Sequence, residues 1–281
     1  MSFIDRLNEV TPCDPADYIR FNVDTIAVGM MSAAFAQTLA AFPDTFQVGP
    51  DHVTLSPALR DHGERSRAVA LVLTQLRDQG MFPGWRDELY PVSTDFHAPS
   101  LFDIERAAAR RFGIRTHAIC LNGFTRRDDG LHLWIARRAM TKQTFPGKMD
   151  LMVGGGHPTG ISLRENLIKE CHEETGIEQA LAEKAVSVGG ISFCCKQPDG
   201  MINEFQFIYD LEVSADFTPQ NVDGEVDAFY LWSAEQVMET VYNTDAFVFD
   251  SALVLIDFLI RHGVIDADHP EYSALVLSLR H

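Results

Sequence analysis

The chain has 281 residues and a formal charge of -17, with 46% hydrophobic and 22% charged residues. That length admits two domains of roughly 100–200 residues each, and the charge disfavours nucleic acid, which is bound by neutralising phosphates with Lys and Arg. No apolar run approaches the roughly 20 residues needed to cross a bilayer, so a soluble protein without a membrane partner is expected.

A small anionic substrate meets the same repulsion unless divalent cations or a local basic patch supply the opposite charge. The five cysteines lack the spacing of a disulfide framework, and Cys194 and Cys195 are adjacent. The start, MSFIDRLNEV, lacks the basic residues and apolar stretch of a secretory signal, which makes a cytoplasmic location the default expectation.

The first third reads as helices and loops. Val23 to Ala41 is apolar-rich with helical period, and Gly63 to Gln79 is amphipathic and ends near Gly80. The segment PGWRDELYPV breaks the pattern, and a third helical stretch runs from about Leu101 to Phe112. The character changes at Gly113, which divides the chain into residues 1–113 and 114–281. Beyond it THAICLNGF and LHLWIARR alternate around Arg127-Asp128-Asp129-Gly130, a hairpin signal. A glycine loop, a helix at about Ser162 to Thr175, the strands VSVGGISFCC and EFQFIYDLEV, and two later helical patterns complete a mixed α/β order.

The helix at Ser162 carries the chemistry. Ser162 and Glu165 have capping-box spacing, Leu163, Leu167 and Cys171 recur every four residues as a buried stripe, and Gly176 supplies the stop. With that stripe fixed, Glu170, Glu173 and Glu174 fall within reach of one another, an arrangement that repels itself without divalent cations. Such a face on an acidic chain is also an ordinary solvated surface. The Gly154–Gly156 run upstream favours the metal site, because close backbone approach beside carboxylates suits a diphosphate with its metals.

The stretch MVGGGHPTGISLRENLIKECHEETGIEQ resembles the Nudix box, G-x5-E-x7-R-E-U-x-E-E-x-G-U with U a bulky aliphatic residue. Gly155, Glu170, Glu173, Glu174 and Gly176-Ile177 match without a gap, whereas Ile161, Lys169 and Cys171 stand where the family has glutamate, arginine and an aliphatic residue. Glu165 lies four residues before Lys169, so an ion pair between them is expected to replace the missing pair. The segments FPDTFQV, GWRDELYPV and ARRAMTKQTFPGKMDLMVGGGHPTGIS are similar to the thiamine-pyrophosphokinase-related branch of Nudix hydrolases.

That resemblance implies a Nudix α/β/α sandwich over roughly residues 114–270, with a smaller helix-rich N-terminal domain. It implies a hydrolase acting on thiamine diphosphate or its oxidised analogues. Two other readings stay open: hydrolysis of another nucleoside-diphosphate derivative, and a binding module with a weakened box. It also implies Mg2+, with Mn2+ as a substitute, held by Glu170, Glu174 and the Gly155 carbonyl with support from Glu173. The general base is sought either in the box or at Glu225, in VDGEVDAFYLW, which is equally a solvated loop acid. Arg137, Arg138, Lys142 and Lys148 are candidate diphosphate contacts, with His157 as a further donor and Asp150 as a support of the loop. Trp85, Arg86 and Glu88 are candidates for the rest of the substrate or for domain packing. Oligomeric state is open, a homodimer included.

Overall fold

The computed structural model describes residues 2–10 and 13–279. The chain opens with α1 (Phe3–Asn8), β1 (Ile19–Val23), β2 (Ile26–Met31), α2 (Ala33–Leu39), β3 (Phe46–Val48) and β4 (His52–Leu55). The four strands form one sheet in the order β2-β1-β4-β3. The continuous helix expected over Val23–Ala41 is therefore a strand, a turn and a short helix. The apolar run Ile26–Met31 pairs with β1, and Ser32 caps α2 by accepting the Phe35 N–H at 3.2 Å. An apolar run of that length does not distinguish a buried strand from a helix until its partner strand is known.

The amphipathic helix α3 (His62–Asp78) forms as its pattern predicts, with Asp61 accepting the Glu64 N–H and Val69, Leu73 and Leu76 buried. A hairpin of β5 (Leu89–Val92) and β6 (Phe102–Glu105) follows, then α4 (Arg106–Phe112). The helix expected from Leu101 thus begins only at Arg106, because Phe102–Glu105 is taken by the hairpin. Phe21, Phe46, Phe102 and Phe112 meet in the centre of this half, with centroids 5.1 to 6.3 Å apart.

The second half is built on the predicted hairpin, β7 (Arg115–Arg127) and β8 (Gly130–Arg138). After the short β9 (Met149–Asp150) and β10 (Val153–Gly156) come α5 (Leu163–Thr175), α6 (Gln179–Ala182), β11 (Val186–Gln197), β12 (Gly200–Glu212), β13 (Val226–Ser233), α7 (Ala234–Asn243), α8 (Phe249–Arg261) and α9 (Tyr272–Leu279). The sheet runs β11-β12-β7-β8-β13, with β10 on β7 and β9 on β8. Alternation along β7 decides its two faces. Ile119 and Leu121 pack with Leu167 and Cys171 of α5, whereas Cys120 and Phe124 pack with Val254 and Phe258 of α8. Helices on both faces make this an α/β/α sandwich. The first helix joins it: Phe3 is buried in the α8 layer, with its ring 5.0 Å from that of Tyr242. Among the described residues no helix is long and apolar enough to cross a membrane.

Candidate active site

Local sequence places α5. Ser162 Oγ accepts the Glu165 N–H at 3.2 Å while the Glu165 carboxylate accepts the Ser162 N–H at 2.7 Å, a reciprocal cap of about 1 kcal/mol. Leu167 and Cys171 are buried, and Gly176 ends the helix at φ 69°, a left-handed conformation that glycine adopts without a Cβ penalty. The opposite side of the stripe then meets β10. Glu174 accepts the Gly154 N–H at 2.9 Å, Asn166 donates to the Gly156 carbonyl at 3.0 Å, and the Glu170 carboxyl group occupies the space where a Cβ on Gly155 would lie. A Cβ on Gly156 would strike the Tyr90 hydroxyl. The glycine run is the condition for the helix and the N-terminal half to close on this strand.

Two expectations are corrected here. Glu165 is spent on the cap, so it makes no ion pair with Lys169; Lys169 instead donates to Glu170 at 3.0 Å and lies 3.2 Å from Glu173. Nor do three carboxylates converge. Glu173 stays half-exposed on Lys169 and Glu174 turns inward to the Gly154 amide; among the described residues no three His, Cys, Asp or Glu side chains are grouped to hold a metal ion. Burial raises the Glu170 carboxyl and pushes that of Glu174 well above the ordinary range, with Glu170 adding repulsion at Glu174. A buried carboxylate with one amide partner lacks positive charge. Glu170 and Glu174 with backbone oxygen of β10 are hard donors that fit a magnesium-type ion.

A cavity of about 230 Å³ opens beside this strand. Gly154, Gly155 and Gly156 form one side, and the first half of the chain supplies Arg86, Tyr90, Arg106 and Arg110. Arg106 donates to Glu88 at 2.7 Å and lies 5.7 Å from the Tyr90 ring centroid. Arg138 reaches Asp150 at 2.6 Å and the Thr144 carbonyl at 2.9 Å, and it lines the same space with Lys142. A smaller pocket joins Gly154 and Glu174 to Lys142 and Glu225. Glu225 is no free loop acid: Lys142 donates to one carboxylate oxygen, and Arg86 donates to the other at 3.4 Å. Burial opposes ionisation there, yet Lys142 and Arg86 hold the carboxyl below its usual range.

Three predicted contacts lie elsewhere. Arg137 neighbours Arg138 on β8, where adjacent side chains take opposite faces, and it lines neither pocket. Lys148 donates to the Asp245 carboxylate at 3.2 Å and to its main-chain carbonyl. His157 is buried beside Phe96, at 5.4 Å between centroids, and burial lowers its pKa. Trp85 packs at 6.4 Å from Phe82, under Arg77.

The cavity also holds residues that the sequence pattern had not singled out. Arg106 and Arg110 share a face of α4 at helical spacing, and Glu204 and Gln206 share a face of β12 at strand spacing. Asp250 lies in the first turn of α8, and burial, with Asp150 and Glu204 nearby, pushes its carboxyl up to about 7.

The sandwich with a glycine strand and carboxylate helix at its edge defines a diphosphate hydrolase of the Nudix type. The family model described as NUDIX domain matches residues 115–251, and that described as Domain of unknown function (DUF4743) matches residues 1–116. The chain is similar to "Nudix hydrolase 24, chloroplastic" of Arabidopsis thaliana, 45% identical over 94% of this chain and 73% of that protein. It is also similar to "Nudix hydrolase 20, chloroplastic" of the same plant, 41% identical over the same shares. A crystal structure from Deinococcus radiodurans aligns with TM-score 0.44 and 23% identity, over 60% of this chain and 97% of that one. This chain belongs to the Nudix hydrolases and cleaves a diphosphate-containing substrate.

Proposed function

We propose that the enzyme hydrolyses thiamine diphosphate, or an oxidised analogue of it, to the monophosphate. The cavity between the glycine strand and the wall of Arg86, Arg106, Arg110, Arg138 and Lys142 supports this reading, since five cations along one cavity of an acidic protein suit the binding of an anion. The thiamine head rests on the similarity of FPDTFQV and GWRDELYPV to the thiamine-pyrophosphokinase-related branch. Hydrolysis of another nucleoside-diphosphate derivative has the same chemistry and would use the same wall.

Glu170 and Glu174, with the Gly155 carbonyl, would hold magnesium or manganese, and Glu173 would support them from the exposed side. When bound, the divalent ions offset charge on the phosphate oxygens. Arg138, fixed by Asp150 and Thr144, presents an oriented guanidinium to the diphosphate. Arg86 and Lys142 would be drawn from Glu225 toward the phosphates. That exchange frees the Glu225 carboxylate to accept a proton from water in the pocket it shares with Glu174.

A turnover screen with magnesium, its products separated by ion-exchange chromatography, over thiamine diphosphate, oxythiamine diphosphate, nucleotide sugars and dinucleotides tests the reading. The thiamine-type compounds are expected to give the highest kcat/KM. Faster turnover of a nucleotide sugar or dinucleotide would transfer the assignment to that class.

A further inference from the structure

Glu204, Gln206 and Asp250 form a hydrogen-bonded trio on the cavity wall. The Gln206 amide nitrogen donates to Glu204 Oε1 at 3.0 Å and to Asp250 Oδ2 at 2.8 Å, which uses both of its N–H groups. Its oxygen is buried without a hydrogen-bond partner, although Gln206 is only 3% exposed. Glu204 also accepts from the Thr116 hydroxyl at 3.1 Å, and Asp250 accepts from the Ser251 N–H at 3.0 Å. Among the described residues neither carboxylate has a salt bridge, while Arg138, Lys142, Arg86 and Arg106, which line the same cavity, are paired with other acids. The amide oxygen of Gln206 is thus an acceptor in want of a donor, flanked by two carboxylates that have hydrogen-bond donors but no cation, and an unpaired buried acceptor costs free energy comparable to a lost hydrogen bond.

We propose that Glu204, Gln206 and Asp250 are a specificity subsite that reads N–H donors on a nitrogen-containing, cationic or polar head of the diphosphate substrate. A metal ion is the poorer occupant, because the Gln206 N–H groups already stand between the two carboxylates and would face the cation. The cavity is then polarised: guanidinium and ammonium groups take the phosphates, and the acceptor trio takes the head. This rests on the cavity being the substrate site, and it extends the proposed function by naming the residues that select the head.

Binding measured by calorimetry at about pH 8, where the Asp250 carboxyl is ionised and accepts, tests the subsite independently of turnover. The probes are thiamine diphosphate and oxythiamine diphosphate, whose heads carry N–H groups, and isopentenyl diphosphate, whose head carries none. The wild type should prefer the first two by tenfold or more. In Asp250→Asn and in Glu204→Gln that preference should shrink about tenfold, the scale of one charge-assisted hydrogen bond. Equal affinity for all three probes in the wild type would overturn the proposal, as would an unchanged preference in both variants. Loss of a magnesium equivalent in either variant, titrated with the metal alone, would overturn it in favour of a cation site. If the wild type shows the preference but does not hydrolyse thiamine diphosphate, the substrate assignment falls and the subsite stands.

Discussion

At the scale of single residues, the carboxyls divide by what neutralises them. Glu165 is used by a helix cap and Glu225 by two cations, whereas Glu174 has only an amide and Asp250 has amides and carboxylate neighbours. Asp250 therefore stores a pH dependence. Its pKa is raised to about 7 from the ordinary 3.8, so between those values the folded protein holds a proton that the unfolded chain releases. Its contribution is fully present below the unfolded value and is lost as pH rises through about 7. At about 1.4 kcal/mol per pH unit the window amounts to a few kcal/mol at most. Thermal unfolding of substrate-free enzyme should show Asp250→Asn gaining stability relative to the wild type between about pH 4 and pH 8; a constant gap would remove the ionisation from the account. The identity of these acids was visible in the sequence, but their partners were not. Glu165 and Lys169 have ideal helical spacing for an ion pair, yet the cap competes for the carboxylate and wins because it satisfies a backbone donor that has no partner within the helix.

Among the elements, α5 and the β7–β8 hairpin were legible because their signals are local: a cap, a four-residue apolar stripe, a glycine stop and a turn between alternating runs. The strand β2 and the late start of α4 were not, because each depends on a partner strand that sequence period does not reveal. The contact of α5 with β10 makes the active site specific to glycine. In Gly155→Ala the new Cβ would land on the Glu170 carboxyl group, and the helix or the side chain must retreat. Overpacking of this kind costs about 1–3 kcal/mol. Chemical denaturation should show a loss on that scale, and magnesium-dependent turnover should fall by at least about tenfold through the displaced carboxylate. Full activity in a stable Gly155→Ala protein would show that Glu170 does not need this seat.

Across the whole molecule, the cavity belongs to both halves of the chain. The DUF4743 region brings Arg86, Tyr90, Arg106 and Arg110 to a strand edge that the Nudix sandwich leaves open, and Tyr90 sits against Gly156. That wall could not be read from the sequence, since Arg110 and Glu204 meet the same cavity from positions far apart in the chain. Composition did announce the problem it solves. A chain of net charge -17 that binds a diphosphate must gather cations locally, and it does so by keeping them paired to Glu225, Glu88 and Asp150 beside the cavity.

We propose that the buried pair Glu170 and Glu174 carries the hydrolysis. Glu174→Gln keeps the size of the side chain and an oxygen that can accept the Gly154 N–H, and removes the charge. Measured with magnesium on the best substrate of the screen, its kcat should fall by at least about 100-fold while the protein melts no lower than the wild type by more than a few degrees. Wild-type kcat in Glu174→Gln would contradict the assignment of this helix as the catalytic one.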